Sequence, residues 1–233
     1  MEWSATSATR AYLDTLKLCS DQKRRRESWG TQEPGSNEFV AALAAGMKAK
    51  LIVEVTSTAS PSTLALAAAA KQTGGYLICI LPEPDLEESK KVIKDSGLKH
   101  LVEFKTGDPS LLLPRYENID FSLVDCKSHD YKKLLNLIDV NPRRSIIVAN
   151  NLGGEKKGLG GHVRGFMEER VAVRSVKHPI GRGMEVTMIG TNINKEIDRK
   201  RDLGFMKKTR GKSKWLVKVD EESGEEHFFR ILP

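Results

Sequence analysis

The segment Leu51–Ala69, LIVEVTSTASPSTLALAAA, decides how the rest of the chain is read. Leu51–Val55 is an apolar run interrupted only by Glu54. It is short and does not alternate strictly, so it predicts a strand covered on both faces. A small polar turn follows, Thr56-Ser57-Thr58-Ala59-Ser60. The alanine-rich run after it predicts a helix over 61–71. Strand, tight turn and helix in that order are the layout of a nucleotide-binding βα unit. Such units usually carry glycine in the turn, because glycine reaches positive φ freely and lets the backbone come close to a ligand. This turn has none.

Working outward, the same unit repeats. Thr73-Gly74-Gly75 is a turn, and 76–81 reads as a second strand. A helix over 85–96 stops at Gly97. Strands are predicted over 101–105, 119–124 and 145–149, with short helical pieces over 111–113 and 131–138 between them. These strands are apolar and their connections are helical, which predicts a parallel sheet with helices on both faces. The pattern then changes. Val171–His178 and Met184–Ile189 flank Pro179-Ile180-Gly181-Arg182-Gly183, a short glycine-containing connection that predicts an antiparallel hairpin. The expected fold class is therefore α/β: a Rossmann-like, doubly wound, seven-stranded mixed sheet of five parallel strands plus a C-terminal antiparallel hairpin.

Three regions are expected. Residues 1–36 form an N-terminal piece. It holds an amphipathic helix over 3–20, with Tyr12, Leu13, Leu16 and Cys19 at helical spacing, and then a polar loop. Residues 37–190 form the sheet domain, entered by a helix capped by Asn37 and running through Met47. Residues 191–233 form a basic appendage. A charged helix over 195–203 is predicted there, with a second hairpin from 215–219 and 227–231.

Composition narrows the function classes. The chain has 233 residues, 39% of them hydrophobic, enough for one α/β domain plus appendages. No apolar run approaches the roughly 20 residues that span a bilayer. Arg10, Asp14 and Lys17 break the N-terminus up, so it does not read as a secretory signal. Cys19, Cys79 and Cys126 are dispersed, and the last two lie in strand-like runs. They read as reduced core thiols of a cytosolic or nuclear protein. Net charge is +7, and it is concentrated: nine Lys/Arg and one acid lie between Arg199 and Lys218, followed by five acids over Asp220–Glu226. Such a run can meet phosphates or an acidic partner, or it can be a solvated face. No zinc-finger spacing, KH-type loop or aromatic RNP pattern accompanies it, so nucleic acid is not the expected partner. There is no G-x-S-x-G elbow and no P-loop. His129, His162 and His178 are general-base candidates by residue type alone.

The order of these elements resembles class I S-adenosylmethionine-dependent methyltransferases, and most closely the cation-dependent O-methyltransferases of the caffeoyl-CoA type. The resemblance spans about Asn37–Gly190. Asn37–Lys50 is similar to that family's lead-in helix, and Glu54 falls on the acid of its E-I-G motif. Glu103–Leu113 resembles the third strand and its Gly-Asp turn. Leu123-Val124-Asp125 with Asp130-Tyr131 resembles the V-D-A-D-K-D-N-Y segment. Asn150-Asn151 falls on the D-N pair, and His178–Gly183 on the L-P-I-G-D-G turn. The whole chain also resembles an uncharacterised plant family assigned to this superfamily.

The resemblance implies a cofactor site built from Glu54, Thr56, Ser60, Ser62, Glu83, Asp108 and Asp125. S-adenosylmethionine is the cofactor it implies. Departures cluster at the same places. Thr56 and Ser60 replace the turn glycines. The ribose-binding acid falls near Leu81, with Glu83 two residues on, between Pro82 and Pro84. The family's metal ligands, two aspartates and an asparagine, correspond to Asp125, Asn150 and Asn151. One carboxylate has become an amide, and hard divalent cations want charged oxygens, so a metal is doubtful. Lys127 could bring an ammonium to the vacated place. Asp108 has a competing role as a helix N-cap, and Asn150 and Asn151 as turn formers before Gly153-Gly154. Gly153–Gly161 reads as an exposed flexible loop or a lid over this edge.

Two functions follow as expectations. One is methyl transfer from S-adenosylmethionine to a small-molecule acceptor, without a metal; the acceptor is left unassigned. The other is a non-catalytic interaction protein on the same scaffold, binding a polyanion through the basic C-terminal segment. No membrane partner is expected, and a homodimer is entertained as the assembly.

Overall fold

The computed structural model describes residues 3–25, 35–126, 131–153, 171–191, 214–219 and 226–231. The chain divides into two units, Met1–Asn192 and Ile193–Pro233.

The first unit opens with α1 (Ala5–Arg25), which starts two residues later and ends five residues later than its apolar spacing indicated. Helix α2 (Ser36–Gly46) starts one residue before the expected cap. Gly35, not Asn37, occupies the N-cap position, and its backbone N–H donates to Glu38 Oε2 at 2.9 Å. The sheet follows: β1 (Leu51–Val55), β2 (Tyr76–Leu81), β3 (Val102–Thr106), β4 (Phe121–Asp125), β5 (Arg144–Asn150), β6 (Val171–His178) and β7 (Met184–Thr191). Helices α3 (Pro61–Thr73), α4 (Leu86–Asp95), α5 (Pro109–Leu112) and α6 (Tyr131–Leu135) connect the parallel strands, with single 3-10 turns at Glu83–Asp85, Lys99–Leu101 and Leu113–Arg115.

The strand order is β3-β2-β1-β4-β5-β7-β6. The first five strands are parallel, and β7 runs antiparallel to both β5 and β6. The expected seven-stranded mixed sheet is what forms. Its order reverses beside β1, which pairs with β2 on one side and β4 on the other. In such sheets ligands bind outside the carboxyl ends of the strands at that switch point.

Both faces are covered, which explains the apolar strands. Ile52, Leu77, Phe121, Leu123, Ile146 and Val148 face α1, α2, α3 and α4. Val53, Val55, Ile78, Ile80, Val124 and Ile147 face Leu113, Leu134, Leu135 and Ile138. The alanines of α3 are what let it be buried: Leu64–Ala70 are all 0% exposed. Small side chains let the α2 and α1 backbones come close to it. Two glycines lie at close approaches, Gly75 against backbone and Gly46 against a side chain. A Cβ on Gly75 would sit 2.5 Å from the Lys50 carbonyl oxygen, and one on Gly46 would sit 2.2 Å from the Trp3 ring. At the amino end of the sheet, Asp120 fastens β4 to β1. Its Oδ2 accepts from the backbone N–H groups of Lys50 (2.8 Å) and Leu51 (3.2 Å), and its Oδ1 from Asn141 Nδ2 (3.0 Å).

All three cysteines are free; Cys79 and Cys126 are buried and Cys19 is half-buried. Burial, with the charge of Glu38 adding to it, pushes the Cys19 thiol up to about 12. No described helix is long and apolar enough to cross a membrane.

In the second unit, β8 (Lys214–Val219) and β9 (Glu226–Ile231) form an antiparallel hairpin. The expected helix over 195–203 lies outside the described residues.

Candidate functional site

The carboxyl ends of β1 and β4 carry the chain's candidate site, and Glu54 is its centre. It is the next-to-last residue of β1, on the face turned to α3, and is 0% exposed. Ser62 Oγ donates to Glu54 Oε1 at 2.6 Å. The Cys79 thiol, on the residue paired with Glu54 across β1 and β2, lies 3.7 Å from Oε2. Burial pushes Glu54 up to about 7; the Ser62, Thr63 and Cys79 hydrogen bonds pull it down, and the charge of Asp125 adds to the rise. Burial and the neighbouring Glu54 also hold the Cys79 thiol well above its usual range.

The turn after β1 is knitted to itself. Ser60 is the N-cap of α3, and its Oγ accepts from Ser62 N at 3.2 Å. Ser60 N in turn donates to Thr63 Oγ1 at 3.1 Å, closing a capping box. Ser60 Oγ and Ser62 Oγ are 2.7 Å apart. Because Ser62 gives its proton to Glu54, the Ser60 hydroxyl donates to Ser62. Thr56 Oγ1 donates to the Thr58 carbonyl at 3.0 Å, and Thr56 N donates to the Ile80 carbonyl at 3.1 Å. Ala59 N donates to Ser89 Oγ at 3.0 Å, which draws α4 against the turn. No residue from 56 to 60 has positive φ. The missing glycines therefore cause no strain: the turn follows a path that ordinary residues adopt.

At the end of β4, Asp125 is half-buried and sits in register with Asn150 of β5. Asn151 Nδ2 donates to Asp125 Oδ1 at 3.0 Å, and Asn151 N donates to Asn150 Oδ1 at 3.0 Å. Cys126 N donates to the Asn150 carbonyl at 2.9 Å. Leu152 N and Gly153 N donate to the carbonyls of Gly183 (3.1 Å) and Arg182 (3.0 Å), tying the β5 end to the β6–β7 turn.

The structure thus gathers Glu54, Thr56, Ser60 and Ser62 in the first turn, and Asp125, Asn150 and Asn151 at the next two strand ends. Glu83 lies exposed in the 3-10 turn after β2, and Leu81 is buried at 1%. Asp108 is exposed and caps α5: its Oδ1 accepts from Ser110 N (2.8 Å) and Ser110 Oγ (2.7 Å). That cap starts α5 two residues before the helical piece expected at 111. His178 stacks edge-on against Phe39, with ring centroids 5.3 Å apart. Lys127, His129, His162 and residues 154–161 lie outside the described residues. Sequence reasoning missed Cys79, Thr63 and Ser89 as members of the site. The only available signal was that a strand-two residue opposite Glu54 would face it.

The Asp125 group does not fit a divalent cation. One carboxylate and two amides carry a single formal charge, and an amide N–H already occupies Asp125 Oδ1. Among the described residues no three His, Cys, Asp or Glu side chains gather as metal ligands.

The fold has known counterparts. A methyltransferase from Geobacter sulfurreducens superposes with a TM-score of 0.55 at 17% identity, over 75% of this chain and 87% of that one. A methyltransferase from Podospora anserina with SAH bound gives 0.53 at 17%, over 82% and 89%. An O-methyltransferase from Bacillus cereus in complex with SAH gives 0.52 at 15%, over 76% and 90%. At these identities the likeness establishes a methyltransferase-like fold. No curated protein matches the chain in sequence. The profile of the family described as "Protein of unknown function (DUF1442)" matches residues 1–231, and the chain belongs to that family.

Proposed function

We propose that this protein binds S-adenosylmethionine at the switch point and transfers its methyl group to a small-molecule acceptor without help from a divalent cation. The observation that carries the reading is the convergence of a buried acid, a capped helix N-terminus and a second carboxylate where the strand order reverses. The solved counterparts with SAH bound share that strand arrangement at fold level.

The residues fit the group. Glu54 is an acid whose charge burial disfavours and which lies within electrostatic reach of Asp125. A cationic ligand group relieves both. The N-terminus of α3, thirteen residues long, offers its dipole to a carboxylate. Glu83 and Asp108 are exposed after β2 and β3, and in this reading they take the ribose and adenine hydrogen bonds. The cofactor, when bound, supplies a methyl group on a positively charged sulfur. The chain's part is to orient that end between Glu54 and Asp125 and to exclude water.

A second reading has its own support. The polar side chains of the turn satisfy one another, so the scaffold stands without a ligand. A non-catalytic interaction protein, using its basic C-terminal segment, would look the same there. Titration calorimetry with SAM and SAH, together with thermal shift, separates the two. Saturable binding and a rise in midpoint are expected; ligand at about 100 times Kd stabilises by about 2.7 kcal/mol. Absence of heat and of any shift at millimolar ligand overturns the first reading in favour of the second.

A further inference from the structure

We propose that the amide of Asn151 stands where a divalent cation would otherwise sit, so that the ends of β4 and β5 form a site assembled without metal, with Asn151 as the positioning residue for Asp125. Three observations carry this, and none depends on the activity proposed above.

The first is the bond itself. Asn151 Nδ2 meets Asp125 Oδ1 at 3.0 Å, a partial positive charge against a carboxylate, in the stronger class of hydrogen bonds. Turned the other way, the amide would set its oxygen against a carboxylate oxygen, and the hydrogen bond would be lost. The second is the backbone. Asn151 has φ 59, in the left-handed region that asparagine tolerates better than most residues. The bonds from Leu152 N and Gly153 N to the β6–β7 turn fix the chain path around it. The amide is placed by the fold. The third is Asn150. Its Oδ1 is turned to the backbone N–H of Asn151, so the oxygen that would be a second ligand is committed.

Charge balance points the same way. Among the described residues at these two strand ends, Asp125 brings one negative charge, and Asn150 and Asn151 bring none. A hard dication would stay under-neutralised, whereas an amide N–H suits one carboxylate.

Mn²⁺, titrated by calorimetry and by the electron paramagnetic resonance of the free ion, tests the inference on the full chain. Wild type should show no saturable binding up to about 1 mM, the weak end of biological divalent sites. Asn150→Asp restores a second carboxylate and keeps an acceptor for Asn151 N; it should bind at least about tenfold tighter, about 1.4 kcal/mol. Asn151→Asp replaces the hydrogen bond with two facing carboxylates. Its thermal midpoint should fall in EDTA and recover with Mn²⁺, while wild type's midpoint stays put. A cation-dependent rescue is a readout that a merely structural asparagine would not give. If Asn151→Asp does not fold, Asn150→Asp decides alone. Saturable Mn²⁺ binding by wild type that Asp125→Asn abolishes, or no gain in any folded variant, overturns the inference. An SAH titration in EDTA on the same wild-type sample reports separately on cofactor binding, so a failure of that reading and a failure of this inference are distinguishable.

Discussion

Asp120 and Glu54 are buried carboxyl groups on adjacent strands of one sheet, at opposite ends, and they do different work. Asp120 sits at the amino end, 6% exposed, and three N–H groups point at it. Those donors replace water around the side chain, so it acts as a fixed bracket between β1 and β4. Glu54 sits at the carboxyl end, 0% exposed, bonded by the hydroxyls of Ser62 and Thr63 and, at 3.7 Å, by the Cys79 thiol, none of them carrying a charge. That shell is too thin to hold a charge firmly, and its carboxyl is pushed up to about 7. The end that builds the sheet satisfies its acid completely. The end that faces the switch point leaves its acid close to ionisation.

Breaking the bracket should cost most. Asp120→Ala leaves two backbone N–H groups and the Asn141 amide without their acceptor, and should lower stability by about 4 kcal/mol in urea unfolding, with no dependence on added cofactor. Glu54 should show itself through pH. Its ordinary value is 4.5, and in the fold it is about 7. Between those values the native state keeps a proton that the unfolded chain has released. Stability therefore falls as pH rises through that window and levels off above it. From about pH 4 to about pH 8 wild type should lose about 3 kcal/mol more than Glu54→Gln; equal slopes in chemical denaturation would remove Glu54 as a poised group. Ser62→Ala deletes a bond that favours the ionised form, so the window should move upward and cost about 1 kcal/mol more at alkaline pH than at acid pH. Asp108→Ala, at an exposed cap on a four-residue helix, should cost about 0.5 kcal/mol, and a SAM affinity measured on the same variant tests the adenine role.

Most of the scaffold was legible because it rests on local rules. The strands were readable as β-branched runs, and β6–β7 as two such runs around Gly181 and Gly183. Boundaries slipped where a cap outweighs apolar spacing. Asp108 starts α5 early, and Gly35 with Glu38 starts α2 early. The order of the motifs was enough to place Glu54 and Asp125 at one edge. What those acids touch was not readable. Glu54 meets Cys79 twenty-five residues away, Ala59 meets Ser89 thirty away, and Asp125 meets Asn151 twenty-six away. Sequence order names each of those residues but not the distance between them. Register across β1–β2 and β4–β5 sets that distance, and it exists only in the assembled sheet.

The self-contained turn at Thr56–Ser62 also shapes which sequences lie near this one. Thr56 and Ser60 now carry hydrogen bonds, so returning glycine to both would remove those bonds and add backbone freedom to the unfolded chain. Together the two changes would cost about 1–2 kcal/mol before any ligand contact could repay them. A protein with a stability of only about 5–15 kcal/mol feels such a step. The nearest glycine-bearing neighbours of this sequence are thus downhill in stability. The turn is a local optimum, and selection for tighter ligand approach would have to supply compensating mutations elsewhere first.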